Sequence, residues 1–180
     1  MKKKYSLIYA DPPWQYKVWR KNGSVAENHY STMHLQDICS LRVQDIASEN
    51  CCLFLWATMP LLQEAMQVIN SWGFIHKTVA FVWVKRNKKQ GSWFWGLGHY
   101  TRSNAELCLL ATKGSIRRMS AKVHQIIDTH IEEHSKKPDI AREKIVELFG
   151  GLPRIELFAR QEVTGWDCWG NEVLSDIALE

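Results

Sequence analysis

The sequence predicts an α/β domain built on a mostly parallel central sheet flanked by helices, and three observations carry that expectation. Apolar runs bounded by turn residues alternate along the chain with stretches of helical periodicity. The two clearest helical stretches begin at Pro60 and Pro138 and end at Gly73 and Gly150, the proline-first, glycine-last order that helices favour. The 180 residues, 46% hydrophobic and 23% charged, suffice for one sizeable core and are few for two, so a single domain over residues 1–180 is expected.

The first strand is Tyr5–Ala10, a mainly apolar hexapeptide that stops at Asp11. Further apolar runs at 51–58, 78–84, 106–112 and 154–158 read as strands in the same way. Between the second and third runs, Leu61, Leu62, Ala65, Met66, Val68, Ile69 and Trp72 share one broad helical face. The helix opened by Pro138 places Ala141, Ile145, Leu148 and Phe149 at i, i+4, i+7 and i+8, then leads into the last strand. Residues 15–34 and 86–103 mix polar and aromatic side chains without a clean period. Such long loops are usually functional or disordered, and both are expected to overhang the active face.

Composition excludes several classes of function. A formal charge of +4 is too mild for a polybasic binder and leaves room for a local basic groove. No apolar run approaches the roughly 18–20 residues of a membrane span. The start, Lys2-Lys3-Lys4 before a short apolar run, imitates a secretory leader, but Asp11-Pro12-Pro13 interrupts it, so a cytoplasmic protein is expected. Five cysteines, an odd number with no C-x-x-C pair, argue against a disulfide framework or zinc knuckle. Nine tryptophans exceed what one small core holds easily, so some should wall a pocket or form a surface platform.

Asp11-Pro12-Pro13-Trp14 is the sharpest feature. It lies where a strand ends, and open α/β sheets bind ligands at the carboxyl ends of their strands. A strand closed by a proline turn would account for the position alone. The composition fits a further use: a carboxylate and proline-fixed carbonyls form a rigid set of acceptors beside an aromatic face. Such a set suits an aromatic amine such as adenine's, with Asp11 and the Pro12 carbonyl accepting from the amino group while Trp14 stacks on the ring.

The tetrapeptide resembles the D/N/S-P-P-Y/F/W motif of amino-methyltransferases that use S-adenosylmethionine. Its tryptophan form resembles the MT-A70 family, which includes messenger-RNA adenosine methyltransferases and bacterial and phage DNA adenine methyltransferases. Further blocks follow in the family's order: Phe54-Leu55-Trp56-Ala57-Thr58, Trp83-Val84-Lys85, Gly98-His99-Tyr100 with Glu106-Leu107-Cys108-Leu109, Ser135-Lys136-Lys137-Pro138, the segment from Arg154 to Arg160, and Trp169-Gly170-Asn171-Glu172. The resemblance implies a Rossmann-like methyltransferase fold. It implies a catalytic motif of Asp11, Pro12, Pro13 and Trp14, with Asp11 near both the target amine and the cofactor. By the same resemblance Lys85 neutralises the cofactor's carboxylate, Phe158 and Arg160 line its adenosyl part, and Asn171 and Glu172 hold its ribose hydroxyls.

The two loops would supply the substrate contacts. Trp19, Arg20, Lys21, Tyr30, Arg86, Lys88, Lys89, Trp93, Trp95 and Arg102 mix cations with aromatics, a combination that tracks phosphates and stacks on bases. Tyr30 is the expected second wall around a flipped-out adenine. His130-Ile131-Glu132-Glu133-His134 satisfies the H-x-x-E-H pattern of inverted zinc peptidases, but Pro138 follows within a turn, so no metal site is expected. The expected activity is methyl transfer from S-adenosylmethionine, leaving S-adenosylhomocysteine, to the exocyclic 6-amino group of adenine in DNA. RNA adenosine is the nearest alternative, and a catalytically silent nucleic-acid-binding subunit is another. The expected partner is nucleic acid, DNA ahead of RNA, with no membrane and with room for a homodimer.

Overall fold

The computed structural model describes residues 3–15, 32–89, 91–98, 100–133 and 135–179. Seven strands form one sheet: β1 (Tyr5–Ala10), β2 (Ala47–Ala57), β3 (Ile75–Arg86), β4 (Glu106–Lys113), β5 (Ile126–His130), β6 (Arg154–Leu157) and β7 (Asp167–Trp169), in the order β5-β3-β4-β2-β1-β6-β7. Every strand except β4 runs in one direction; β4 is antiparallel to β2 and β3. Its reversal has a local cause. The chain leaves the carboxyl end of β3 and returns through residues 87–105 without a crossover helix, so the next strand starts at the same edge and runs back.

Burial alternates along β2 as the pleat requires. Cys51, Leu53, Leu55 and Ala57 enter one core, and Cys52, Phe54 and Trp56 enter the other. Helices α1 (Leu35–Ser40) and α2 (Leu62–Ser71) cover the first face, through Ile38, Ala65, Val68 and Ile69. Helix α3 (Ile140–Phe149) covers the second, through Ala141, Ile145 and Phe149. Both predicted helices are therefore present, with Gly73 and Gly150 at φ 77° just beyond their ends.

Five tryptophans are buried, because each sheet face has its own core, and the indole N–H groups of four of them find acceptors within the fold. Trp14 donates to the Trp56 carbonyl at 3.0 Å, Trp56 to the Tyr9 hydroxyl at 2.7 Å, Trp72 to the Ile38 carbonyl at 2.9 Å and Trp83 to the Thr129 hydroxyl at 2.9 Å. Trp93 and Trp95 stay exposed, on the stretch between β3 and β4.

A charged pair fastens α3 to the sheet. Arg142 donates from Nε and Nη2 to the two carboxylate oxygens of Glu156 on β6, at 2.6 and 2.7 Å, and both residues are buried. A bidentate guanidinium pair is among the few ion pairs that withstand desolvation. Arg142→Ala strands the Glu156 carboxylate, so it should lower unfolding free energy by about 3–5 kcal/mol. Urea denaturation should show a lower midpoint with an unchanged slope; an unmoved midpoint would mean that the pair fastens nothing.

Candidate active site

The strands that run together end together, and their carboxyl ends form one pocket of about 350 Å³, within the range of small-molecule sites. Asp11, Pro12, Pro13 and Trp14 enter it from the end of β1, and Trp56, Ala57 and Thr58 from the end of β2. Phe158, Ala159 and Arg160 follow β6, and Gly170, Asn171 and Glu172 follow β7. Glu106 starts β4 at the same edge, and Ser135 and Lys137 come from the segment before α3.

The floor is ionic. Lys137 Nζ lies 2.7 Å from Asp11 Oδ2 and 3.3 Å from Glu106 Oε2, while the other Glu106 oxygen pairs with Lys85. Charges thus alternate along Lys85, Glu106, Lys137 and Asp11. The two carboxyls respond oppositely because they have different numbers of cations. Burial pushes Asp11 above the usual carboxylate range against the pull of Lys137. Burial would raise Glu106 too, but Lys137 and Lys85 together outweigh it and hold its carboxyl low. Lys137 itself is desolvated, yet Asp11 and Glu106 keep its ammonium charged.

The walls are set by backbone geometry. Trp14 is only 5% exposed and is fixed by its bond to the Trp56 carbonyl, so it presents a held aromatic surface. Phe158 adopts φ 60°, unusual for a non-glycine residue, and its ring meets Trp169 edge-on at 5.3 Å. Ala159 N–H donates to the Trp169 carbonyl at 3.0 Å, which brings the turns after β6 and β7 together. Gly170 makes that approach possible: a Cβ there would lie 2.3 Å from the Ala159 carbonyl oxygen. At the mouth, Arg160 pairs with Glu172 at 3.0 Å.

Of the site residues expected from sequence, Asp11, Pro12, Pro13, Trp14, Phe158, Arg160, Asn171 and Glu172 line this pocket. Lys85 does not: its ammonium sits behind Glu106, and Lys137 is the lysine that enters the cavity. Arg102 lies outside the lining and donates to the Trp95 carbonyl at 3.2 Å. Tyr30 falls outside the described residues. The Pro12 carbonyl also differs from expectation, because the amide of Trp14 donates to it at 2.8 Å in a tight three-residue turn. One of its two lone pairs is therefore engaged.

Sequence reasoning missed Lys137, Glu106 and Trp56. All three lie inside the family-like blocks, and the usable signal for Lys137 was its place directly before a helix-opening proline. His130 ends β5 and the described residues after it are not helical, so the H-x-x-E-H pattern lacks the helix it needs. Among the described residues, no group of three or more His, Cys, Asp or Glu side chains is gathered to hold a metal, and no helix is long and apolar enough to cross a membrane.

The profile of the family described as MT-A70 matches residues 5–172. The Type II methyltransferase M.MunI of Mycoplasma sp is 37% identical over 191 residues, covering 96% of this chain and 79% of that protein. The N(6)-adenosine-methyltransferase catalytic subunit METTL3 of Homo sapiens is 25% identical over 174 residues, covering 94% of this chain and 28% of that protein. The N6-adenosine-methyltransferase non-catalytic subunit MTB of Arabidopsis thaliana is 33% identical over 135 residues, covering 71% of this chain and 17% of its own length.

The contact between the two turns yields a direct test. Gly170→Ala must push the turn after β7 away from Ala159, at a cost of about 1–3 kcal/mol. Thermal unfolding should show a lowered Tm and the pocket should open at that wall; an unchanged Tm would show that the two turns are not in close contact.

Proposed function

The chain belongs to the MT-A70 family, and from that membership we propose that it transfers the methyl group of S-adenosylmethionine to the exocyclic 6-amino group of adenine in DNA. The observation that carries the proposal is Asp11 at the end of the interior strand β1, ion-paired with buried Lys137 on the floor of a pocket walled by Trp14 and Phe158.

The pocket's chemistry fits the cofactor part by part. Lys137 offers a cation to its carboxylate, a charge-assisted contact in a desolvated setting. Phe158 offers an aromatic edge to its adenine, and the Asn171 amide and Glu172 carboxylate are suited to ribose hydroxyls. When bound, S-adenosylmethionine supplies an electrophilic methyl group on a sulfonium sulfur. The remaining steps belong to the chain. Asp11 and the second lone pair of the Pro12 carbonyl would accept hydrogen bonds from the two amine hydrogens, which draws the nitrogen lone pair out of the ring system. The same acceptors favour the positive charge that develops on nitrogen as the methyl arrives, and the proton that nitrogen then sheds leaves along its hydrogen bond to the Asp11 carboxylate. Trp14, held by Trp56, fixes the plane of the base so that nitrogen, carbon and sulfur can align.

The substrate polymer would cross the rim at the connection between β3 and β4. Trp95 is 55% exposed and Tyr100 almost fully exposed there, with Arg102 beside Trp95. Aromatic faces next to cations suit a nucleic-acid strand whose target base is turned out of its stack. Arg86 is less available to phosphates, because Asp128 engages it through both oxygens and Trp93 stacks on it at 3.8 Å. The match to M.MunI across nearly the whole chain, at higher identity than METTL3, supports DNA ahead of RNA. The similarity to MTB keeps a silent subunit as the reading to test against. The intact Asp11-Lys137 pair favours an enzyme, since a scaffold has no use for a buried acceptor at that point.

Labelled S-adenosylmethionine incubated separately with duplex DNA, single-stranded DNA and RNA should give 6-methyladenine in DNA by nucleoside mass spectrometry. Transfer to RNA alone would change the substrate class, and no transfer with no cofactor binding would favour the silent subunit. Asp11→Asn should lower kcat by about 10²–10³-fold while the protein stays folded. Because the ionised Asp11 carboxylate is the stronger acceptor and alone offsets the charge developing on nitrogen, and burial raises its pKa above the ordinary 3.8, activity should fall on acidification at a pH above that value. Trp95→Ala should weaken DNA binding by about 1–3 kcal/mol in a filter or anisotropy assay and leave cofactor binding alone.

A further inference from the structure

Lys85 is the one member of the alternating charge line that does not touch the pocket, and it is held with unusual completeness. The side chain of Asn104 clamps its backbone from both sides, accepting the Lys85 N–H at 2.8 Å and donating to the Lys85 carbonyl at 2.9 Å. Phe94 N–H donates to the same carbonyl at 3.0 Å. The ammonium lies 4.8 Å from the Trp83 ring centroid and 6.0 Å from that of Phe94, pairs with Oε1 of Glu106, and the side chain is only 15% exposed. A solvated strand-end lysine would need none of these contacts.

The line also has a fixed order of engagement. Glu106 gives one oxygen to Lys85 and the other to Lys137 at 3.3 Å, and Lys137 reaches further to Asp11 at 2.7 Å. Two carboxylates therefore share two ammoniums. Removing Lys85 would leave both carboxylates competing for Lys137 in a desolvated site. Glu106 would draw Lys137 toward itself, and Asp11 would lose part of the cation that keeps it ionised. The other groups facing Asp11 do not replace it: Glu156 from β6 opposes its ionisation, the Cys108 thiol from β4 is kept protonated by burial, and Arg160 is a weaker influence than Lys137.

We infer that Lys85 is a positioning residue. By occupying one oxygen of Glu106 it keeps Lys137 seated against Asp11, and so holds Asp11 ready to accept the substrate's amino group without touching substrate or cofactor. The inference rests on the role proposed for Asp11 above.

The test compares Lys85→Met, Lys85→Arg and the double variant Lys85→Met/Glu106→Gln in full-length protein. Methionine keeps an unbranched apolar stem and removes the charge. In pH profiles of methyl transfer, Lys85→Met should move the acid limb of kcat upward by about one pH unit, a roughly tenfold loss on that limb. Lys85→Arg should keep the limb in place. The double variant removes the surplus carboxylate together with the cation, so its limb should return to the wild-type position even if its rate is lower. A Lys85→Met variant that loses activity equally at every pH, or a double variant whose limb stays displaced, would overturn the inference in favour of a purely structural role.

A second readout separates this inference from the functional reading. In cofactor-free protein labelled with carbon-13 at aspartate carboxyls, the Asp11 signal is identified by its loss in Asp11→Asn. Its titration should shift upward in Lys85→Met and return in the double variant. That pattern without methyl transfer by any form would uphold the positioning and reject the methyltransferase reading. An unmoved Asp11 titration would reject the positioning whatever the activity.

Discussion

Burying Lys137 against Asp11 is the constraint around which this molecule is arranged. Two opposite charges taken out of water recover their solvation only if the geometry is close and the remaining valences are filled. The fold meets that condition by bringing four strand ends to one edge. Glu106 arrives there only because β4 is reversed, so that its first residue rather than its last reaches the edge. A wholly parallel arrangement would carry that residue to the far side of the sheet. The single antiparallel strand is thus part of the electrostatics of the pocket, because it delivers the carboxylate that offsets the second lysine.

The aromatic framework does for orientation what the ion pairs do for charge. The Trp14 indole binds the Trp56 carbonyl, the Trp56 indole binds the Tyr9 hydroxyl, and Lys137 lies 5.8 Å from the Trp56 ring centroid. The pocket wall, the second core and the buried cation therefore share Trp56. Each indole N–H is satisfied inside the protein, so these rings do not bring the cost of an unpaired buried donor. Held in this way, Trp14 has little rotamer freedom to lose when a flat ring is placed against it.

How much of this was legible in the sequence depends on whether a feature is local. The strand Tyr5–Ala10 and the helical face from Leu61 to Trp72 follow from periodicity within one segment, and both are present with closely matching limits. The strands β5 and β7 were not read. Ile126–His130 has one buried residue in a polar setting, and Asp167–Trp169 is three residues long, so neither carries a pattern that outweighs a loop. Helix α1, six residues without a side-chain cap, is similarly quiet. Asp11 was legible because strand, motif and position coincide. Lys137 was not, since nothing local distinguishes it from Lys136 beside it: one is buried on Asp11 and the other pairs with Glu132 and Asp139 at the surface. The family resemblance of its block points to Lys85 as the cofactor's lysine, and only the packing of β4 shows that Glu106 stands between it and the cavity.

The segment before α3 explains why stability and chemistry are tied together at this site. Lys137 is followed by Pro138, whose fixed φ sets the direction in which the chain enters the helix. The Pro138 carbonyl accepts from Ala141 at 3.0 Å and that of Asp139 from Arg142 at 3.0 Å, so the first turn is already wound where the lysine leaves it. Arg142, one turn on, is locked to Glu156, and Glu156 belongs to the strand adjacent to Asp11. The two ion pairs therefore bracket one rigid corner: the guanidinium pair fixes α3 against β6, and that fixes where Lys137 can stand relative to β1. A helix anchored only by its apolar face could slide or rotate by a fraction of an ångström at little cost. The bidentate pair removes that freedom, and the distance from Lys137 to Asp11 is set by it.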